Sequence, residues 1–139
     1  MNIEFFKRLS EADGIASNEE EVRHVLLEEL KAYSDKVICD GLGSIIFSKI
    51  KDESAPNIMI CAHMDEVGFI VTKVLPNGML KFETLGGFRE DVLLAQTYTV
   101  TSYEGKKFTG VIGSIPKHFT AGVAQNVKIS DMTIDVGAS

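Results

Sequence analysis

Asn57-Ile58-Met59-Ile60-Cys61-Ala62-His63-Met64-Asp65-Glu66-Val67-Gly68 is the stretch on which the fold turns. Its first six residues form a near-continuous apolar run. A strand covered on both faces, as in the centre of an α/β sheet, has that composition, so a buried strand is expected over 57–62. His63 and Asp65 follow at once, at the carboxyl end of that strand, where open α/β sheets place their sites. A spacing of two on an extended backbone points both side chains the same way. A divalent metal needs a neutral imidazole nitrogen, with the other ring nitrogen held by an acceptor. Asp65 can be that acceptor or can ligate an ion itself, and Glu66 adds negative charge nearby. A plainer reading stands beside this one. A histidine at a strand end is more often a hydrogen-bonded surface or core residue, and acids after a strand are more often caps or solvated groups. Spacing alone favours the plainer reading.

Upstream of this stretch the pattern is helical and then extended. Ile3 to Ala12 reads as a short amphipathic helix with Phe5, Phe6 and Leu9 on one side, broken at Asp13-Gly14-Ile15-Ala16-Ser17-Asn18. Ser17 or Asn18 can cap a second helix, whose first turn carries Glu19 to Glu21 where the helix dipole favours negative charge. Val22, Val25, Leu26, Leu30 and Tyr33 recur at helical spacing, giving one buried stripe and one solvated face. His24 lies on that acidic helix and reads as a solvated side chain. Lys36 to Asp40 and Ser44 to Ser48 read as two strands joined at Gly41-Leu42-Gly43, a turn with glycines available for positive φ.

Downstream the chain is strand-rich. Gly68 to Val74, Met79 to Thr84, Thr97 to Ser102 and Lys107 to Ile112 are short β runs, separated by Pro76-Asn77-Gly78, Gly86-Gly87 and Glu104-Gly105. These are turn residues for identifiable reasons of backbone freedom and side-chain hydrogen bonding. No helical periodicity is seen there, so a small all-β unit beginning near residue 70 is expected. Met132, Ile134 and Val136 alternate like a further strand. The tail Asp131 to Ser139 reads as the middle of something longer.

Composition narrows the class. With 139 residues, 45% hydrophobic and 24% charged, the chain suits an ordinary globular domain or one complete and one incomplete piece. A net charge of −6 lacks the clustered cations of a nucleic-acid surface. No apolar run approaches membrane-spanning length, and the amino terminus lacks the basic leader and apolar stretch of a signal peptide. A cytoplasmic location is expected. Cys39 and Cys61 sit in strand-like runs with no short ligand spacing, and are expected as reduced, buried thiols.

The string Ala62-His63-Met64-Asp65-Glu66-Val67-Gly68-Phe69 resembles the signature of the glutamyl aminopeptidase family of co-catalytic metallopeptidases. That family includes tetrahedral aminopeptidases and members labelled endoglucanase. Asp13-Gly14-Ile15, Glu21-Val22-Arg23, Asp40-Gly41-Leu42-Gly43, Gly86-Gly87, Gly110-Val111-Ile112-Gly113 and Asp135-Val136-Gly137-Ala138-Ser139 agree in order and spacing, so the resemblance spans the chain. It implies an α/β fold. Residues 1–69 would be the N-terminal part of a phosphorylase/peptidase-like mixed-sheet catalytic domain. Residues 70–139 would be part of an inserted all-β domain used in oligomerisation.

By the same resemblance His63 is a metal ligand, and Asp65 is the acid that orients it and supports catalysis. Two divalent ions, zinc or cobalt, would serve the complete enzyme. Its substrates would be short peptides with N-terminal, possibly acidic, residues, and it would be a homo-oligomer. Ala16-Ser17 stands where Ser-Gly is usual, Ser44 where Asn is common, and Lys117 interrupts the Pro-Pro-His that often precedes the position of His118. His118 reads as a loop residue. The family's bridging Asp, Glu pair, further Asp and second His have no counterpart here. The 139 residues alone are therefore expected to bind metal weakly or not at all and to lack peptidase activity. Two rivals remain open: a related metal-dependent deacylase or dipeptidase, and a non-catalytic truncated product acting as an oligomerisation piece. The endoglucanase label is a weaker rival, since glycoside hydrolysis needs two carboxylates flanking a sugar cleft and no such pair is identified.

Overall fold

Asn2 opens the first helix by accepting the Phe5 amide on its side-chain oxygen at 3.2 Å, which satisfies one of the helix's orphan donors. Helix α1 runs Ile3–Glu11 and helix α2 runs Glu20–Leu30, with a 3-10 turn over Lys31–Tyr33. The computed structural model describes residues 2–114, 119 and 127–138. They belong to two compact units, Met1–Glu66 and Val67–Ser139.

In the first unit Arg8 of α1 pairs with Glu28 and, at 2.8 Å, with Glu29 of α2. The cap of α2 differs from expectation. Neither Ser17 nor Asn18 caps it; Glu19 occupies that place without a side-chain cap bond. The Glu19 carboxylate instead accepts the Ser17 amide at 2.8 Å. Ser17 has φ 72, in the left-handed region that glycine enters at least cost, so the glycine usual here in the resembled family has a backbone reason. Of the expected apolar stripe, Val22 is buried, whereas Tyr33 falls in the 3-10 turn and is 69% exposed.

Strands β1 (Lys36–Cys39) and β2 (Ile45–Ser48) form an antiparallel hairpin. Asp40 organises the turn: its Oδ1 accepts the amides of Leu42 and Ser44, each at 2.9 Å. Gly43 supplies the positive φ, at 92. The Ser44 amide, then the Ser44 hydroxyl and the Leu42 and Gly43 amides, hold the Asp40 carboxyl below its ordinary value of 3.8. A carboxyl depressed by folding adds stability above its unfolded value and loses it as pH falls through the folded one. The protection of the Leu42 and Ser44 amides against hydrogen exchange should therefore drop as pH falls below 3.8. Asp40→Ala should remove that pH dependence, and protection that stays level in the unaltered chain would refute the assignment.

The run 57–62 is not the buried strand expected of it. It has no regular secondary structure and belongs to neither sheet, and Ile58, Met59 and Ile60 are 90%, 83% and 92% exposed. A strand exists only where a neighbour takes its backbone groups, and no described residue forms a ladder with this run. Each large apolar side chain left in water forgoes about 1.5–3 kcal/mol. The thiols follow suit: Cys39 and Cys61 are free, as expected, but exposed rather than buried. Cys61 shares the bare run, and Cys39 ends a hairpin of only two strands.

The second unit is the all-β structure that the turn spacing predicts, with short 3-10 turns at Glu90–Val92 and Ile129–Asp131. Strands β3 (Gly68–Val74), β4 (Leu80–Leu85), β5 (Thr97–Thr101), β6 (Lys107–Ile112) and β7 (Ile134–Asp135) form one antiparallel sheet in the order β3-β4-β7-β6-β5. The expected tail strand is thus real but only two residues long, and it is central. It joins two hairpins, with Ile134 opposite Leu80 on one side and Ile112 on the other. Alternation puts Leu80 and Phe82 of β4 on the core face. Leu93, Ile112, Met132 and Ile134 complete the core. Phe69 packs on it with ring centroids 4.6 Å from Phe82, 4.8 Å from Phe88 and 4.9 Å from Tyr98. Partial burial raises the Tyr98 hydroxyl above its ordinary pKa. Among the described residues no helix is long and apolar enough to cross a membrane.

Candidate metal-ligating motif

The structure brings the His63 and Asp65 side chains together, as their spacing predicts. The ring nitrogen Nδ1 of His63 lies 2.9 Å from the backbone oxygen of Asp65 and 3.3 Å from its Oδ1. A carbonyl oxygen can only accept, so in the neutral imidazole this bond places the proton on Nδ1. The lone pair is then on Nε2. That is the tautomer a metal ligand requires when its other nitrogen is fixed by an oxygen acceptor. The His63 side chain is 86% exposed and that of Asp65 47%, so a ligand can reach the ring.

The end of the motif is anchored by the loop that follows α1. The Glu66 amide donates to the carbonyl of Gly14 at 2.7 Å, and Ile15 and Glu66 form an isolated parallel bridge. On the other side of the loop the Glu21 carboxylate of α2 accepts the Asp13 amide at 3.2 Å. Sequence reading makes Asp13 to Asn18 a helix breaker, a source of caps and part of the family resemblance, but not a partner of Glu66. The pairing with Glu66 joins residues about fifty apart in the chain, and no local pattern announces it.

A metal site needs more than this motif offers. Among the described residues no group of three or more His, Cys, Asp or Glu is placed to hold a metal ion. The donor chemistry of His63 fits a single ligand, and the two residues singled out by the sequence do come together. His118 lies outside the described residues. His24 is exposed on α2, beside a surface hollow also lined by Arg8, Glu11, Glu21 and Glu28.

Comparison with known proteins adds a family. Residues 43–139 match the model of the M42 glutamyl aminopeptidases. A glutamyl aminopeptidase of Lactococcus lactis is 36% identical over 133 residues, covering 93% of this chain and 38% of the relative. A lysyl aminopeptidase of Pyrococcus furiosus is 33% identical over 140 residues, covering 98% of this chain and 40% of the relative. Among solved structures, the Pyrococcus horikoshii TET1 peptidase, described as able to assemble into a tetrahedron or a large octahedral shell, superposes with a TM-score of 0.85. It is 31% identical, and the match covers 98% of this chain and 40% of that one. The chain therefore spans about two fifths of the length of these relatives.

Proposed function

The chain belongs to the M42 glutamyl aminopeptidase family, and on that premise we propose that it is the N-terminal part of a metal-dependent aminopeptidase that hydrolyses short peptides from their N-terminus. The observation that carries the reading is the His63 ring, whose Nδ1 lies 2.9 Å from the Asp65 backbone oxygen and whose side chain is 86% exposed. Family membership sets aside the deacylase and dipeptidase reading.

In this proposal His63 holds one of two divalent ions, zinc or cobalt, through Nε2. Asp65 keeps the ring in one tautomer and at one angle, through its backbone oxygen and its carboxylate together. The ions, when bound, supply the Lewis acidity that makes water a competent nucleophile near neutral pH. The remaining ligands and the glutamate base are assigned to the part of the relatives' length that this chain does not match. A catalytic site of this kind needs about three protein ligands for each ion, so the 139 residues by themselves are proposed to lack peptidase activity.

Preference for an acidic N-terminal residue is the weakest part of the proposal. A glutamyl and a lysyl aminopeptidase are similar to this chain at 36% and 33% identity, although their names point to side chains of opposite charge. The pocket that tells them apart is therefore proposed to lie in the unmatched length. The β unit, like the assembling Pyrococcus horikoshii peptidase it resembles, is proposed to serve homo-oligomerisation, in a cytoplasmic enzyme.

Zinc and cobalt titration of the 139-residue chain by calorimetry tests the ligand assignment. The expected isotherm is weak and does not approach two ions per chain. A tight isotherm with two ions would overturn the assignment of the other ligands elsewhere.

A further inference from the structure

We infer that Gly14 is a positioning residue for the His63–Asp65 motif, acting through the backbone of Met64 to Glu66; its functional meaning, though not its geometry, rests on the reading of His63 as a metal ligand. The aim of the His63 ring depends on Asp65 twice, through the backbone oxygen at 2.9 Å and the carboxylate at 3.3 Å. Both acceptors move with the chain path at 64–66. Among the described residues, the backbone hydrogen bond from Glu66 to Gly14, at 2.7 Å, and the adjoining Ile15–Glu66 bridge tie the run 57–66 to the rest of its unit. The motif is otherwise carried on a bare, exposed segment. The pairing of Gly14 and Ile15 with Glu66 therefore sets its direction.

Residue 14 has to be small for that contact to form. Gly14 is buried, and a Cβ built on it would lie 2.7 Å from Cγ2 of Val22 and 3.3 Å from the backbone oxygen of Met64. Val22 is the buried hydrophobic residue of α2, at 7% exposure. A side chain at 14 would thus meet α2 and the motif's backbone together. The Glu21 carboxylate holds the adjoining Asp13 amide at 3.2 Å. An added methyl group must displace the Val22 side chain, the helix that carries it or the motif. Val22 is buried and stiff at χ1 and its helix is paired to α1, so we take the exposed motif as the part that gives way.

The test uses the 139-residue chain labelled with nitrogen-15, without metal or substrate. In the unaltered chain His63 should show the Nδ1-protonated tautomer, and the Glu66 amide should be protected against hydrogen exchange. Gly14→Ala should cut that protection at least tenfold and turn the tautomer signal into a mixture, leaving the amides of β4 and β6 unchanged. Removing the obstruction in Gly14→Ala/Val22→Ala should bring back both signals. A purely structural glycine would lose stability in both variants, with no return of the tautomer. Unchanged Glu66 protection and tautomer in Gly14→Ala, or a double variant that recovers neither, overturns the inference. Should the single variant unfold the first unit, the double variant decides alone. Neither readout involves a metal, so a His63 that never binds one defeats the ligand reading while leaving the role of Gly14 standing.

Discussion

In an enzyme of the relatives' full length built on these 139 residues, His63→Ala should abolish peptide hydrolysis and lower the bound metal. Asp65→Asn should cut turnover by about 10–100-fold, the range for residues that orient a metal-bound histidine. The difference follows from the geometry. Alanine at 63 removes the ligand itself, and a site with about three protein ligands cannot lose one and keep its ion in place. Asparagine at 65 removes only the charge. The backbone oxygen, the nearer acceptor at 2.9 Å, remains and still favours the proton on Nδ1. Much of the metal should therefore stay bound in Asp65→Asn while catalysis suffers. Metal content by elemental analysis, together with kcat on a short peptide, separates the two effects. Unaltered turnover in both variants would make the motif structural. An Asp65→Asn enzyme that loses its metal as fully as His63→Ala would make the carboxylate a ligand rather than an orienting group.

That His63 and Asp65 lie together is legible in the sequence, because what joins them to each other is local. A spacing of two lets them face the same way as each other, whereas the anchor at Gly14 that directs the pair is distant in sequence. Local pattern likewise gives β3 to β6, whose bounds follow from alternation and from turns such as Pro76-Asn77-Gly78. Readings that depended on distant partners fared differently. The apolar run 57–62 has the composition of a covered strand, but composition cannot supply the neighbour, and none lies beside it among the described residues. Cys39 and Cys61 read as buried on the same ground; Cys61 is exposed on the bare run, and Cys39, though paired with Ile45, is exposed in a hairpin of only two strands. The anchor at Gly14 and the central place of β7 are contacts between residues far apart in sequence. A two-residue strand carries too little pattern to reveal that it joins two hairpins.

That join carries the second large effect. Ile134 is 2% exposed and faces both Leu80 and Ile112 across the sheet, so its side chain is shared by the two hairpins. Ile134→Ala should cost the second unit about 2–5 kcal/mol, through lost burial and the cavity left behind. A unit of this size seldom holds more than roughly 3–5 kcal/mol in its core, so the variant should be largely unfolded at room temperature. Ile60 provides the contrast. It is as apolar as Ile134 yet 92% exposed, and Ile60→Ala should shift stability by no more than about 0.5 kcal/mol, as for other surface changes. Urea unfolding, followed by circular dichroism and by the emission of the core-packed Tyr98, measures both in the 139-residue chain. The expected order is a large loss at 134 and almost none at 60. Equal losses would mean that Ile60 is covered in solution. A midpoint that rises with protein concentration would then identify the cover as another copy of the chain, since an exposed apolar run is also the part of this molecule best suited to association.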